Sequence, residues 1–279
     1  MTSYKSLKFL KVENVGDFVY KVTLNRPEKY NALNLEIWGE IGDCFKLIHD
    51  DPDCRVVILQ GEGKHFCTGL DMSSGSVLGM GSSDEQDQAR KSRATRRNVE
   101  WMQRQFTYVD DCSKPVLLAI HGYCMGAGVD LATACDIRYA SKDAVFSVKE
   151  VDVGMAADIG TLNRLPKIVG NQSWVKDISL SARNFPAGEA FQFGFLSRVF
   201  ENREEMLTEV SKFAKLLALK SPIAVQGTKH ILNYSRDHNV HDSLTYVATW
   251  NMSQLLTEDV FKAGLASMSK KPPPPFSKL

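Results

Sequence analysis

The sequence predicts an α/β fold followed by a helical C-terminal region, and three observations carry that prediction. Short β-branched and apolar runs alternate with stretches of helical spacing up to about Glu201. The strand-like runs stop at glycine or proline, and from Asn202 onward helical spacing continues without any strand pattern. At 279 residues, 43% of them apolar, the chain is long enough to bury one sizeable core.

Leu7 to Val12 is the first strand candidate, followed by Phe18 to Leu24, which stops at Asn25-Arg26-Pro27. Ile37, Trp38, Ile41, Phe45 and Ile48 then recur at the spacing of one helix face, predicting a helix from Leu35 to Ile48. Arg55 to Gln60, closed by Gly61, has the pattern of a short buried strand, and Pro115 to Ile120 repeats it before His121-Gly122. Between these two, the Gly- and Ser-rich stretch from Ser73 to Ser83 is expected to be a loop. Asp84 to Val109 is expected to be a long polar helix with Val99, Met102 and Phe106 on one side. Ala144 to Val148 is a further strand, and a helix begins near Gly160. Beyond the change of character, helices are expected over Met206 to Leu219, Pro222 to Tyr234, Asp242 to Leu256 and Glu258 to Met268. The expected organisation is an α/β body over 1–201 holding the active site, a helical region over 202–270 and an extended tail over 271–279.

A formal net charge of only +1 gives no reason to expect nucleic acid or an anionic membrane as partner. The six cysteines include no C-x-x-C pair, and the chain opens without an apolar or amphipathic leader, so they read as reduced, packed thiols. No apolar run is long enough to span a bilayer. The signatures of serine hydrolases, P-loops and dinucleotide-binding turns are missing, and His238 and His241 lack a third ligand, so no metal is expected. The last three residues, Ser277-Lys278-Leu279, form a peroxisomal address read by an import receptor, which points to a peroxisome or a peroxisome-like organelle such as a glycosome. Four prolines before Phe276 favour a stiff spacer that would hold the tripeptide away from the body.

Two segments invite chemistry: Gly63 to Asp71 and His121 to Asp130. Each leaves a strand through small residues, which lets backbone approach a ligand, and Ala127 would stand at a helix start where N–H groups lack partners. Either segment alone is more readily a tight turn that merely needs glycine. Three acids follow: Asp130, Glu150 and Asp158. Each has a plain alternative, as a first-turn acid, a solvated residue and a helix N-cap respectively. Asp158, in the apolar run Val153 to Ile159, is where burial would raise a carboxyl pKa, as a general acid requires.

Together and in this order, the two segments resemble those of the crotonase (enoyl-CoA hydratase/isomerase) family. Leu24-Asn25-Arg26-Pro27 with Asn31-Ala32-Leu33, Cys135-Asp136, and Gly160-Thr161-Leu162-Asn163-Arg164-Leu165-Pro166 are similar to further motifs of that family, so the resemblance spans nearly the whole chain. It implies the crotonase (ClpP-like) fold, a superhelix of repeated ββα units with C-terminal helices through which the family usually forms trimers or hexamers. It also implies an acyl-CoA substrate whose thioester oxygen is held by two backbone N–H groups, and no separate cofactor, since coenzyme A is part of the substrate. Matched residue by residue, the donors are Leu70 and Ala127, the latter standing where the family often has glycine. Cys67, Thr68, Gly69, Leu70, Asp71 and Ala127 are the expected substrate contacts. One such donor is worth roughly 3 kcal/mol in the transition state.

Hydratases of the family carry glutamate at the positions of Asp130 and Glu150 and glycine at that of Asp158. The Asp, Glu, Asp set found here is instead similar to the dienoyl-CoA isomerase branch, as are Val148 to Leu162, Ser221 to Gly227 and Ala248 to Ser253. That resemblance implies conversion of 3,5-dienoyl-CoA to 2,4-dienoyl-CoA in the β-oxidation of unsaturated fatty acids. Glu150 would then be the base at C2, Asp158 the acid at C6, and Asp130 a support for Glu150. An enoyl-CoA hydratase on the same fold is the nearest rival, and Asp158 argues against it. A non-catalytic module that binds RNA or scaffolds a complex is the rival of another class, against which the three intact acids and the near-neutral charge weigh. The basic run Arg90, Lys91, Arg93, Arg96 and Arg97 reads as a solvated helix face rather than a phosphate clamp. Val77, Leu78 and Met80 are candidates for a lid over an apolar channel.

Overall fold

A computed structural model describes residues 4–74, 87–272 and 274–279. After a 3₁₀ turn at Tyr4–Ser6 come β1 (Leu10–Asn14), β2 (Val19–Leu24), α1 (Leu35–Asp50), β3 (Val56–Gly61), α2 (Gln88–Asp110) and β4 (Val116–Ile120). They are followed by β5 (Tyr123–Met125), α3 (Ala127–Thr133), β6 (Ile137–Ser141), β7 (Val145–Ser147), α4 (Thr161–Ile168) and α5 (Gln172–Ser181). The remainder is β8 (Phe185–Pro186), α6 (Ala187–Gln192), β9 (Arg198–Phe200), α7 (Arg203–Ala218), α8 (Pro222–Asp237), α9 (Val240–Gln254) and α10 (Glu258–Met268).

The larger sheet has six strands in the order β1-β2-β3-β4-β6-β9, parallel except for the β1–β2 pair, and a smaller sheet has the order β5-β7-β8. Strands β3 and β4 are apolar on both faces because both faces are covered. Val57, Leu59, Leu118 and Ile120 face the side packed by Ile41 and Phe45 of α1 and Phe106 of α2. Val56, Ile58, Leu117 and Ala119 face the other side, closed by Met206, Val210, Ala214 and Ala218 of α7. The helical region expected from Asn202 therefore begins with a helix that forms the second layer of the sheet rather than an appendage.

Helix starts follow their capping residues. Asn34, Asp87, Asn171, Asn202, Ser221 and Thr257 each accept an N–H from the first turn of the helix they precede. Strands β6 and β9 had no counterpart among the expected elements. In β6 the reason is Arg138, a charged residue in a run that lies next to β4 in the sheet. It is buried because its guanidinium donates to the carbonyls of Phe195 (2.8 Å) and Cys135 (2.7 Å).

The tail does not stand away from the body. Phe276 is buried, and its carbonyl accepts from Nη2 of Arg55 at 2.6 Å, with the Ser277 carbonyl at 3.2 Å. Lys278 pairs with Asp53. A buried guanidinium needs acceptors, and Arg55 finds them in Ala218 and the tail, which holds the chain end down. Among the described residues no helix is long and apolar enough to cross a membrane.

Candidate active site

The strand-to-turn exits of β3 and β4 bring the two expected loops together. Cys67 bridges to Cys124 in parallel register, and Leu33 bridges to Leu70, which pins the 67–71 segment between two neighbours. Gly69, at φ +89°, lies so close to the second loop that a Cβ there would come within 2.8 Å of the Met125 carbonyl oxygen and 3.6 Å of the Ala127 nitrogen. Gly126, at φ +50° and ψ −118°, turns the chain into α3. Among the described residues the N–H groups of Leu70 and Ala127 make no hydrogen bond: Leu70 sits between two bonded neighbours, and Ala127 is the first residue of its helix. Helix α3 has only seven residues, so the bare N–H rather than a long helix dipole is what it offers.

These donors open on a cavity of about 310 Å³ that all three acids line. Asp130 is buried on α3, and its Oδ1 accepts the Thr161 N–H at 2.6 Å, so it caps α4 from another element. Complete burial pushes its carboxyl up to about 6, with the Thr161 contact acting in the opposite direction. Glu150, in a 3₁₀ turn after β7, has an Oε2 that is buried without a hydrogen-bond partner among the described residues, and its Oε1 faces Gly126. Burial first and the Asp130 charge second push Glu150 up to about 7. Asp158 is half-buried and raised by burial; the N-cap of α4 is Gly160, so Asp158 is not the helix cap.

Of the other expected contacts, Thr68, Gly69, Leu70 and Ala127 line the cavity, and Cys67 and Asp71 do not. Cys67 is fully buried behind the loop, with its thiol pushed up to about 12. Asp71 accepts from the Ser73 hydroxyl (2.6 Å) and from Arg26 (2.7 Å), which in that order hold its carboxyl below the usual range, and the Arg26 contact ties the Asn25-Arg26-Pro27 turn to the loop. The apolar wall comes from Trp38, Val99, Met102, Met155 and Ile159. Trp38 stacks on Phe106 at 4.9 Å and donates to the Met102 carbonyl, so α1 and α2 fix that wall together. The apolar spacing of Val99 and Met102 marked the face, but nothing in the spacing said that it met a cavity. Arg90, Lys91, Arg93, Arg96 and Arg97 of α2 lie at or near the surface, with Arg90 paired to Asp87 and Arg96 to Glu100. Residues 77, 78 and 80, the expected lid, lie outside the described residues. Four larger cavities, of about 650, 590, 490 and 400 Å³, each lined in part by residues of α8, include none of the three acids in their linings. Among the described residues no group of three or more His, Cys, Asp or Glu is placed to hold a metal.

A largely parallel sheet thus brings two strand exits, two N–H groups without a partner among the described residues and three carboxyls to one apolar cavity. The family description of enoyl-CoA hydratase/isomerase matches residues 15–278, and the chain belongs to that family. Among solved structures, a putative enoyl-CoA hydratase from Streptomyces coelicolor superposes with a TM-score of 0.85 at 28% identity, covering 98% of this chain and 96% of that one. An enoyl-CoA hydratase from Bacillus anthracis gives 0.85 at 25% identity, covering 96% and 98%. Closer in sequence is the mitochondrial Delta(3,5)-Delta(2,4)-dienoyl-CoA isomerase of Mus musculus, 48% identical over 270 residues, 96% of this chain and 81% of that protein. The peroxisomal Delta(3,5)-Delta(2,4)-dienoyl-CoA isomerase of Arabidopsis thaliana is 44% identical over 279 residues, 100% of this chain and 99% of the plant protein.

Proposed function

We propose that this chain isomerises 3,5-dienoyl-CoA to 2,4-dienoyl-CoA by moving a proton from C2 to C6. The observation that carries the reading is Asp158. Its carboxyl lines the same cavity as Glu150 and the two free N–H groups, and it is not engaged in capping the adjacent helix. The names of the mouse and plant relatives support the same reaction.

Glu150 takes the C2 proton. The C2–H electron pair spreads on one side onto the thioester oxygen, where the N–H groups of Leu70 and Ala127 meet the charge, and on the other through the diene as far as C6. Asp158 then gives a proton to C6 as the carbonyl reforms, leaving double bonds at C2–C3 and C4–C5. Glu150 ends protonated and Asp158 ionised, and exchange with solvent restores both. Atoms and electrons balance within the substrate, so the reaction needs no redox partner, and coenzyme A enters as part of the substrate. Glu150, raised to about 7, is partly ionised near neutrality and basic enough to act. Asp130, held by Thr161, keeps that value up.

The Ser277-Lys278-Leu279 tripeptide and the plant relative support a peroxisomal location reached through an import receptor, although the mouse relative is named mitochondrial. Exposed Leu256, Met268, Phe261 and Met252 on α9, α10 and the turns that end them support assembly of copies of this chain through its last helices. Purified protein given a 3,5-dienoyl-CoA should develop conjugated 2,4-dienoyl absorbance, and given a 2-enoyl-CoA it should add little water. The reverse pattern would make it a hydratase.

A further inference from the structure

We infer that Gln103 is a positioning residue that sets where Asp158 delivers its proton; the inference rests on the acid role given to Asp158 above. Gln103, Thr107 and Asp110 recur at i, i+4 and i+7 on α2 and so share one face of the helix. All three reach the segment that carries Asp158 or the helix that follows it. Gln103 Nε2 donates to the backbone carbonyl of Asp158 at 2.6 Å. Thr107 Oγ1 accepts from Arg164 Nη2 at 3.2 Å, and Asp110 Oδ2 accepts from Arg164 Nε at 3.1 Å and from Arg236 Nη2 at 3.0 Å. The Arg164 guanidinium in turn lies over Gly160, where a Cβ would collide with it.

The segment needs this support. Among the described residues no backbone–backbone hydrogen bond holds 156–159. The fixed points on either side are the Met155 N–H on the Glu150 carbonyl, at 3.1 Å, and the Thr161 N–H on the Asp130 carboxylate, at 2.6 Å. Both anchors belong to the other two acids. The Gln103 amide is the third, and it acts on Asp158 itself. Proton removal at C2 by Glu150 does not pass through Gln103, whereas delivery at C6 depends on where Asp158 stands. A displacement on the order of 1 Å is enough to slow such a step about a hundredfold.

The test uses the full chain with a 3,5-dienoyl-CoA in deuterated water, following label at C2 and formation of 2,4-dienoyl product together. Gln103→Leu keeps the bulk and removes the donor. Its kcat should fall by about ten- to a hundredfold with KM near that of the parent, while C2 exchange persists, so that exchange rises relative to product. A merely structural role would lower both alike, and an unchanged ratio overturns the inference. Gln103→Glu guards against misfolding of the leucine variant. An ionised glutamate has no proton to give the Asp158 carbonyl, but a protonated one does. The kcat of Gln103→Glu relative to the parent should therefore rise as pH falls through the carboxyl range, and a flat ratio overturns the inference. Asp158→Asn separates the two levels. If it turns over like the parent, the acid role itself fails; if it is inactive while Gln103→Leu is unimpaired, only the role of Gln103 fails.

Discussion

Glu150 combines two properties that rarely coincide in a structural residue: a carboxylate oxygen buried without a partner among the described residues, and a pKa that burial first and the Asp130 charge second raise to about 7. Glu150→Gln and Asp158→Asn should each lower kcat by roughly 10²–10⁴-fold while product-analogue binding, read by calorimetry, survives. If Glu150 is the base, as proposed, it must be ionised to act, and kcat/KM should rise with pH through about 7. Asp130→Asn removes the adjacent charge and should move that midpoint to lower pH. The same shift bears on stability. A carboxyl whose folded pKa is raised binds its proton more tightly in the native state, so its stabilising contribution is present below the unfolded value and is lost as pH rises to about 7. Glu150→Gln should accordingly melt higher than the parent by roughly a few degrees at neutral and alkaline pH, and the gain should vanish in acid. The three acids could be named as candidates from their place at and after the second small-residue segment and from their similarity to the Asp, Glu, Asp set of the dienoyl-CoA isomerase branch. What was not legible is that Asp130 caps α4, since a contact across 31 positions leaves no local pattern.

At the scale of elements, the site is the meeting of two strand exits, and Gly69 is where they touch. Gly69→Ala would set a methyl group 2.8 Å from the Met125 carbonyl at a φ that side chains avoid, forcing the donor loops apart. Its kcat should fall by about 10²-fold, the scale of one lost oxyanion donor, with circular dichroism unchanged. The apolar strands β3 and β4 could be read directly because both faces are covered, which makes them continuous hydrophobic runs. Strand β6 could not, because Arg138 interrupts the pattern and is satisfied only by carbonyls distant in the chain or beyond the strand itself. Helix α7 was foreseen as a helix but not as a layer of the sheet, since its partners Val56, Ile58 and Leu117 carry no mark of which face they turn to it. A chain ending at Glu201 would leave that face bare. It should be recovered only as aggregate, and a soluble, cooperatively melting fragment would show that the sheet does not depend on α7.

On the scale of the whole molecule, alternating strands and helices gave away the class of fold, while the path of the last residues ran against expectation. Proline stiffness suggested a tail pointing outward, yet the binding of Phe276 and Lys278 depends on Arg55 and Asp53, far away in sequence. That docking bears on the proposed reading of the tripeptide by an import receptor. A receptor and the protein's own surface compete for one short peptide, so the receptor's apparent affinity is its affinity for the free peptide scaled by the fraction of tails that are loose. A synthetic peptide of residues 270–279 should thus bind the receptor more tightly than the intact chain, and Phe276→Ser in the intact chain should close most of that gap. Equal affinities for peptide and parent would mean that the docked tail lifts at no cost. A weaker affinity for the intact chain would make the docked tail a brake on the proposed import, released by anything that loosens the surface around Arg55.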